Sequence, residues 1–220
     1  MRYRNALTAA VFLAWSSTAA LAEPATGFAA YIGLRGAISE GNDTHAVVAA
    51  TDLRAHPSTG LGGSIYAGAR LDYGFRFEGE LLYRHFTLDS LNAAGAPLPG
   101  RNGYTQIAAP MANVFWEPPI PNFVVQPFLG AGFGAAYIDS HLRSGATQVF
   151  ESDSWRFAYQ LMAGVTLPLS SSARLTGMYR YFRVQDASYT CRVPGAPPTV
   201  AACSPDMTNQ SVDLGLEFDI

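Results

Sequence analysis

From residue 27 onwards, eight separate stretches of the chain alternate apolar and polar side chains. A period of two is the mark of a strand with one oily face. The stretches run over residues 27–39, 64–72, 75–86, 104–116, 124–138, 155–167, 174–183 and 211–220. The clearest, 155–167, sets Trp155, Phe157, Tyr159, Leu161, Val165 and Leu167 against Arg156, Gln160 and Thr166. The third sets Phe75, Phe77, Leu81 and Tyr83 against Arg76, Glu78, Glu80 and Arg84. The fourth contains Pro110, which cannot donate to a ladder and so predicts a local irregularity there. Each stretch is close to the roughly nine to eleven residues that cross a bilayer as a tilted strand.

The connections alternate in length. Those at 40–63, 87–103, 139–154 and 184–210 are long; those at 72–74, 117–123 and 168–173 are short. Short periplasmic turns and long outer loops characterise outer-membrane barrels. The expectation is an all-β chain: an eight-stranded antiparallel transmembrane up-and-down β-barrel. Aromatic residues sort by height into two girdles, as interfaces require. Phe28, Phe75, Trp116, Phe123 and Phe218 fall at the periplasmic rim; Tyr83, Tyr104, Tyr137, Trp155 and Tyr181 fall at the outer rim. A soluble lipocalin-like barrel has the same strand number with its apolar face turned inward, so parity alone does not separate the two.

Both ends of the chain favour the membrane reading. Arg2 and Arg4, the apolar run 6–15 and Ala20-Leu21-Ala22 form a signal peptide over residues 1–22, leaving 23–220 as one barrel domain. The last strand carries Gly215, Phe218 and Ile220 at the spacing of a barrel assembly signal, for which the barrel-assembly machinery is the expected partner. Hydrophobic residues make up 49% and charged residues 14%, yet the mean hydropathy is only +0.09, as alternation produces. Every basic residue is Arg; without Arg2 and Arg4, 12 face 17 acidic residues, a net charge of −5 that argues against nucleic-acid binding. Cys191 and Cys203, the two cysteines, lie close together in an exported chain and read as a disulfide stiffening an outer loop.

Several pieces resemble the small eight-stranded outer-membrane proteins of the opacity-protein and surface-antigen type, relatives of the OmpA transmembrane domain. They are Phe77-Glu-Gly-Glu-Leu-Leu-Tyr-Arg84, Met111-Ala-Asn-Val-Phe-Trp116, Gln126-Pro-Phe-Leu-Gly-Ala-Gly-Phe-Gly134, Phe157-Ala-Tyr-Gln-Leu-Met-Ala-Gly-Val165 and Tyr179-Arg-Tyr-Phe182. The resemblance covers most of the mature chain in order. It implies the barrel fold and a structural, porin-like or surface-antigen role. The peptidoglycan-binding domain of OmpA has no counterpart, and Ile220 stands where the family more often ends in Phe.

Parity turns Arg35, Arg70, Arg76, Glu78, Glu80, Arg84, Arg156, Arg180, Asp213 and Glu217 toward the interior. Eight strands leave room only for side chains to fill, and buried charges must pair. An Arg–carboxylate network plugging the lumen follows, centred on Glu78 and Glu80 with Arg76, Arg84 and Arg180. Gly130, Gly132 and Gly134 are expected to make room for the Arg side chains. The rival is a narrow conduit for small solutes. Glu78 and Glu80 as an acid/base pair lack any sugar-binding pattern around them. His45 and His56 share a loop with Asp43 and Asp52 and read as solvated polars before metal ligands. His85 and Ser90 invite comparison with lipid A deacylases, whose surrounding motif is missing. The resulting expectation is a monomeric, non-enzymatic surface protein of the Gram-negative outer membrane without cofactor. It would contact outer-membrane lipid and lipopolysaccharide and use its outer loops to bind an extracellular ligand.

Overall fold

The computed structural model describes residues 28–41, 44–48, 51–93, 95–97, 101–144, 147–185, 189–191, 201–203 and 207–220. The segment 1–22 proposed as a signal peptide lies outside them. In chain order the strands are β1 (Phe28–Gly41), β2 (Thr44–Val48), β3 (Thr51–Pro57), β4 (Gly60–Leu71), β5 (Phe75–Ala93), β6 (Ala96–Pro97) and β7 (Arg101–Trp116). Then come β8 (Gln126–Ser144), β9 (Thr147–Pro168), β10 (Ala173–Val184), β11 (Tyr189–Cys191), β12 (Ala201–Cys203) and β13 (Met207–Asp219). Eight of these, in the order β10-β13-β1-β4-β5-β7-β8-β9, pair antiparallel with their neighbours, and β9 pairs back to β10 to close the barrel. Among the described residues no helix is long and apolar enough to cross a membrane, and a closed sheet crosses without one because it leaves no unpaired edge.

Closure joins the first and last barrel strands, from Tyr31 opposite Asp219 to Gly41 opposite Asn209. Alternation is resolved in one sense only. Ile32, Leu34, Ile65, Phe77, Leu81, Leu129, Phe133, Phe157, Leu161 and Leu214 are exposed, while Arg35, Arg76, Glu78, Glu80, Arg84 and Arg180 are buried. The apolar face is outside, the reverse of a lipocalin. So large a continuous oily surface is incompatible with water and suits hydrocarbon.

The short connections stand at one end as expected. The β4–β5 turn is a 3-10 turn, Asp72–Gly74, with Tyr73 at φ 63° and Gly74 at φ 80°. A Cβ on Gly74 would fall 2.0 Å from the Glu117 carbonyl oxygen, which packs the β7–β8 turn against this one. At the other end, much of what reads as long loops is strand. The predicted loop 139–154 is a continuation of β8 and β9, paired up to Ser144 opposite Thr147. The predicted loop 87–103 contains the rest of β5 and the start of β7, and 40–63 contains β2, β3 and the start of β4. Above the bilayer neither face needs to be oily, so the hydrophobic alternation stops while the backbone ladder runs on.

Pro110 breaks less than its chemistry suggests. It pairs with Leu81 of β5, and on the β8 side the ladder merely skips Ala109 and Pro110. Ala108 opposes Tyr137 and Met111 opposes Gly134, so the register is the same on both sides of the gap.

Candidate functional site

The inward rows bring the charged residues into two connected tiers. The middle tier is built on β5, where Glu78 and Glu80 occupy successive inward positions. Arg35 Nη2 donates to both oxygens of Glu78 at 3.0 and 2.9 Å, and Tyr31 donates to Glu78 at 2.9 Å. Glu80 accepts from Arg180 Nη1 and Nη2 at 2.9 and 2.8 Å, from Asn113 at 2.9 Å and from Gln160 at 3.0 Å, with Arg35 at 3.4 Å. Arg180 Nε also lies 2.9 Å from Asp213 Oδ2, and Arg84 lies 3.6 Å from the other Asp213 oxygen. Arg84 donates to Ser39 and, at 2.8 Å, to Ser211.

A second tier closes the periplasmic end. Arg76 donates to Glu217 at 3.0 Å and its Nε lies 3.3 Å from Glu117. Arg70 donates to Glu217 at 2.6 Å and also pairs with Asp219, which accepts from Arg174 at 3.1 Å. Tyr31 stands between the tiers, bonded to Glu78 above while the Arg70 guanidinium lies 4.1 Å over its ring. Among the described residues each tier balances. Arg35, Arg84 and Arg180 meet Glu78, Glu80 and Asp213; Arg70, Arg76 and Arg174 meet Glu117, Glu217 and Asp219. Burial of unpaired charge would cost several kcal/mol per ion, roughly, so balance within each tier is what the low-dielectric interior demands.

The placements differ from the sequence reading in three respects. Arg76 belongs to the periplasmic tier with Glu217, and Arg35 takes the central position beside Glu78 and Glu80 that parity reasoning had given Arg76. Arg156 is on the inward row as expected, half-buried, and donates to the Trp155 carbonyl at 3.1 Å. The inward glycines of β8 make room for neighbours on β7 rather than for Arg. A Cβ at Gly130 would lie 2.3 Å from the Phe115 ring, at Gly132 2.0 Å from Asn113 Oδ1, and at Gly134 2.7 Å from Met111 Sδ. His85 and Ser90 stand five residues apart on one strand, about 16 Å, which is beyond hydrogen-bond reach; the His85 ring instead stacks on Tyr104 at 6.2 Å.

The interior is also less ionic than expected. Phe115, Phe128, Met162 and Met178 form a buried apolar cluster, with Phe115 and Phe128 edge to face at 5.6 Å. Toward the outer end Phe86, Ile107, Ile138, Phe182 and Val184 are at most 1% exposed. Period-2 counting could have found them, since Phe115 and Ile107 share the inward row of β7 with Asn113; attention to charge passed over them. Asp219 continues the inward row of Asp213 and Glu217 and was legible by the same parity, whereas Glu117 lies one residue beyond the end of β7, where alternation gives no face.

Of the remaining expected residues, Trp116, Trp155 and Phe218 are exposed on the outer face, and Tyr137 and Tyr181 are half-buried on the same outward parity. Gly215 is inward, and a Cβ there would come 2.8 Å from Arg35 Cγ; Ile220 is exposed. Cys191 opposes Ala201 and Cys203 opposes Tyr189 in the β11–β12 ladder, but their side chains, like those of His45 and His56, lie outside the described ones. Among the described residues no group of three His, Cys, Asp or Glu is placed to hold a metal.

A closed antiparallel barrel with an oily outer wall and paired ions within defines an integral outer-membrane protein. The chain belongs to the family described as outer membrane protein beta-barrel domain, which it matches over residues 6–218, and its place is the Gram-negative outer membrane. An uncharacterized protein of Brucella abortus (strain 2308) is 37% identical over 92 residues, covering 38% of this chain and 32% of that protein. The matched stretch thus spans about a third of that curated relative. Among solved structures, the outer membrane protein OprG from Pseudomonas aeruginosa superposes with a TM-score of 0.61 at 12% identity, over 87% of this chain and 96% of that one. Neisserial surface protein A gives 0.52 at 15% identity, over 86% and 96%. The outer membrane protease OmpT from Escherichia coli gives 0.53 at 9% identity, over 93% and 100%. At these identities the likeness is one of fold.

Proposed function

We propose that this protein is a non-conducting, non-catalytic scaffold whose plugged lumen holds the wall rigid and whose outer hairpins engage an extracellular ligand. The observation that carries the reading is the filling of the interior. Two ion-pair tiers are stacked with an apolar band of Phe86, Ile107, Ile138, Phe182 and Val184. A solute would have to separate charge pairs in a medium where leaving one partner alone costs about 3–5 kcal/mol, then cross an oily constriction. The carboxylates that might act as acid and base are consumed as hydrogen-bond acceptors: Glu78 holds Arg35 and Tyr31, and Glu80 holds Arg180, Asn113 and Gln160.

The ladders continuing above the bilayer support the binding part of the reading. Rigid β-extensions such as β8–β9 present an outer surface with less ordering entropy to lose than free loops. A disulfide between Cys191 and Cys203 would brace the β11–β12 ladder in the same region. Planar-bilayer recording tests the lumen: steady current from the purified protein at neutral pH would overturn the plug and favour a narrow porin. Trimming the outer ends of β8 and β9 tests the ligand role, with loss of cell-surface binding and unchanged barrel assembly as the expected result.

A further inference from the structure

The periplasmic mouth contains a cavity of about 330 Å³ that neither the plug nor the outer hairpins account for. One wall is ionic, made by Arg70, Arg76 and Glu117; the lip is apolar, made by Pro119, Ile120 and Pro121. That volume is at the small end of the range for ligand sites, about 300–1,000 Å³. The cavity is preformed. Glu117 N–H donates to the Gly74 carbonyl at 2.7 Å, and the Gln126 side chain accepts from Ile120 N–H at 3.2 Å and donates to the Phe123 carbonyl, which pins the β7–β8 turn over the mouth.

We propose that this vestibule binds a carboxylate that carries a small apolar substituent, as at the C-terminus of a short peptide. Arg76 is the anchor. Its Nη1 is engaged by Glu217, whereas its buried Nη2 has no hydrogen-bond partner among the described residues. With Nη1 and Nε already facing Glu217 and Glu117, Nη2 is the group left to donate to an incoming carboxylate, and charge-assisted bonds of this kind are the strong ones. The Pro119-Ile120-Pro121 lip supplies the matching apolar contact.

The charge state of the mouth works in the same direction. Glu117 faces Arg76 and Arg70 from β5 and β4, Glu217 from β13 and Thr166 from β9, with Asp219 and Arg174 completing the tier. Burial raises the Glu117 pKa above the usual carboxylate value, Arg76 opposes the rise and Glu217 adds to it. Lowering the pH therefore neutralises Glu117 while a peptide carboxylate, with a pKa of about 3.5, stays charged. Three Arg then face two carboxylates, and affinity for the anion increases.

Calorimetric titration of the full-length mature protein in detergent with N-acetyl-alanyl-alanine, its C-terminal amide and sodium acetate tests the assignment. The acid is expected to bind saturably with a Kd of about 1 mM or tighter, about tenfold more tightly than the amide, and more tightly at about pH 5 than at about pH 8. Acetate binding as well as the dipeptide would assign the vestibule to free small carboxylates; acetate binding much more weakly would assign it to a peptide terminus. Glu117→Gln is expected to raise affinity at neutral pH and abolish its pH dependence. Should Arg76→Gln fail to fold, Ile120→Glu, at the exposed lip, is expected to weaken acid binding about tenfold without altering assembly. Equal affinity for acid and amide, or no saturation by either acid, overturns the proposal. Neither result bears on conductance or on the outer hairpins, so the two proposals fail separately.

Discussion

At the scale of single residues, Glu80 is the most connected anion of the interior. It accepts from side chains on four other strands: Arg35 on β1, Asn113 on β7, Gln160 on β9 and Arg180 on β10. A carboxylate in that position ties together strands that are far apart in the chain, and its removal strands Arg180 with only Asp213 as counter-ion. Glu80→Ala is expected to lower the unfolding free energy by about 3–5 kcal/mol, read as the midpoint shift in a urea titration of the barrel in lipid vesicles. A loss below about 1 kcal/mol would show that the neighbouring groups re-pair without it. Parity reasoning named Glu80 correctly as inward, because the side-chain period of a strand admits only two faces. It could not name the partners. Arg35 and Glu80 are 45 residues apart, and which inward side chain meets which depends on strand register around the closed wall.

At the scale of elements, β7 shows what a proline does within a closed wall. Pro110 carries no N–H, and the ladder toward β8 skips it and Ala109, yet the register is preserved and the β5 side is paired throughout. The missing donor is therefore a local loss in a strand held on both flanks. Pro110→Val is expected to restore the rung, adding about 0.5–1.5 kcal/mol and slowing hydrogen exchange at the facing β8 amides. Unchanged exchange there would mean that strand separation, and not the missing donor, opens the gap. The outer ends of β8 and β9 teach a complementary lesson. Residues such as Asp139-Ser140-His141 have no oily alternation and read as loop, but they continue the hairpin to Ser144 opposite Thr147. Pattern recognition detects the membrane's demand on side chains; it does not detect backbone pairing once that demand ends.

At the scale of the whole molecule, the stability of the barrel depends on which solvent meets the outer wall. Leu34, Ile65, Phe133, Leu161 and Leu214 are all more than half exposed, an arrangement that hydrocarbon stabilises and water does not. In detergent the folded protein is expected to migrate differently on gels before and after boiling, and to aggregate when the detergent is withdrawn; a folded, soluble monomer in plain buffer would contradict the membrane placement. The sequence alone determined the strand number, the alternation of faces and the composition of the two surfaces, because each is a local property of period and turn spacing. Parity is symmetric between a barrel and its inversion, so the outward placement of the oily face was legible only from the chain ends, the aromatic girdles and the loop asymmetry, and the exposed Leu34 beside the buried Arg35 bears it out. Only closure, through β1 with β13 and β9 with β10, decided the partners. Balanced tiers, glycines yielding to Phe115 and Asn113, and the Arg76 vestibule all arise from shear between strands, which relates residues distant in sequence and leaves no trace in any one stretch of it.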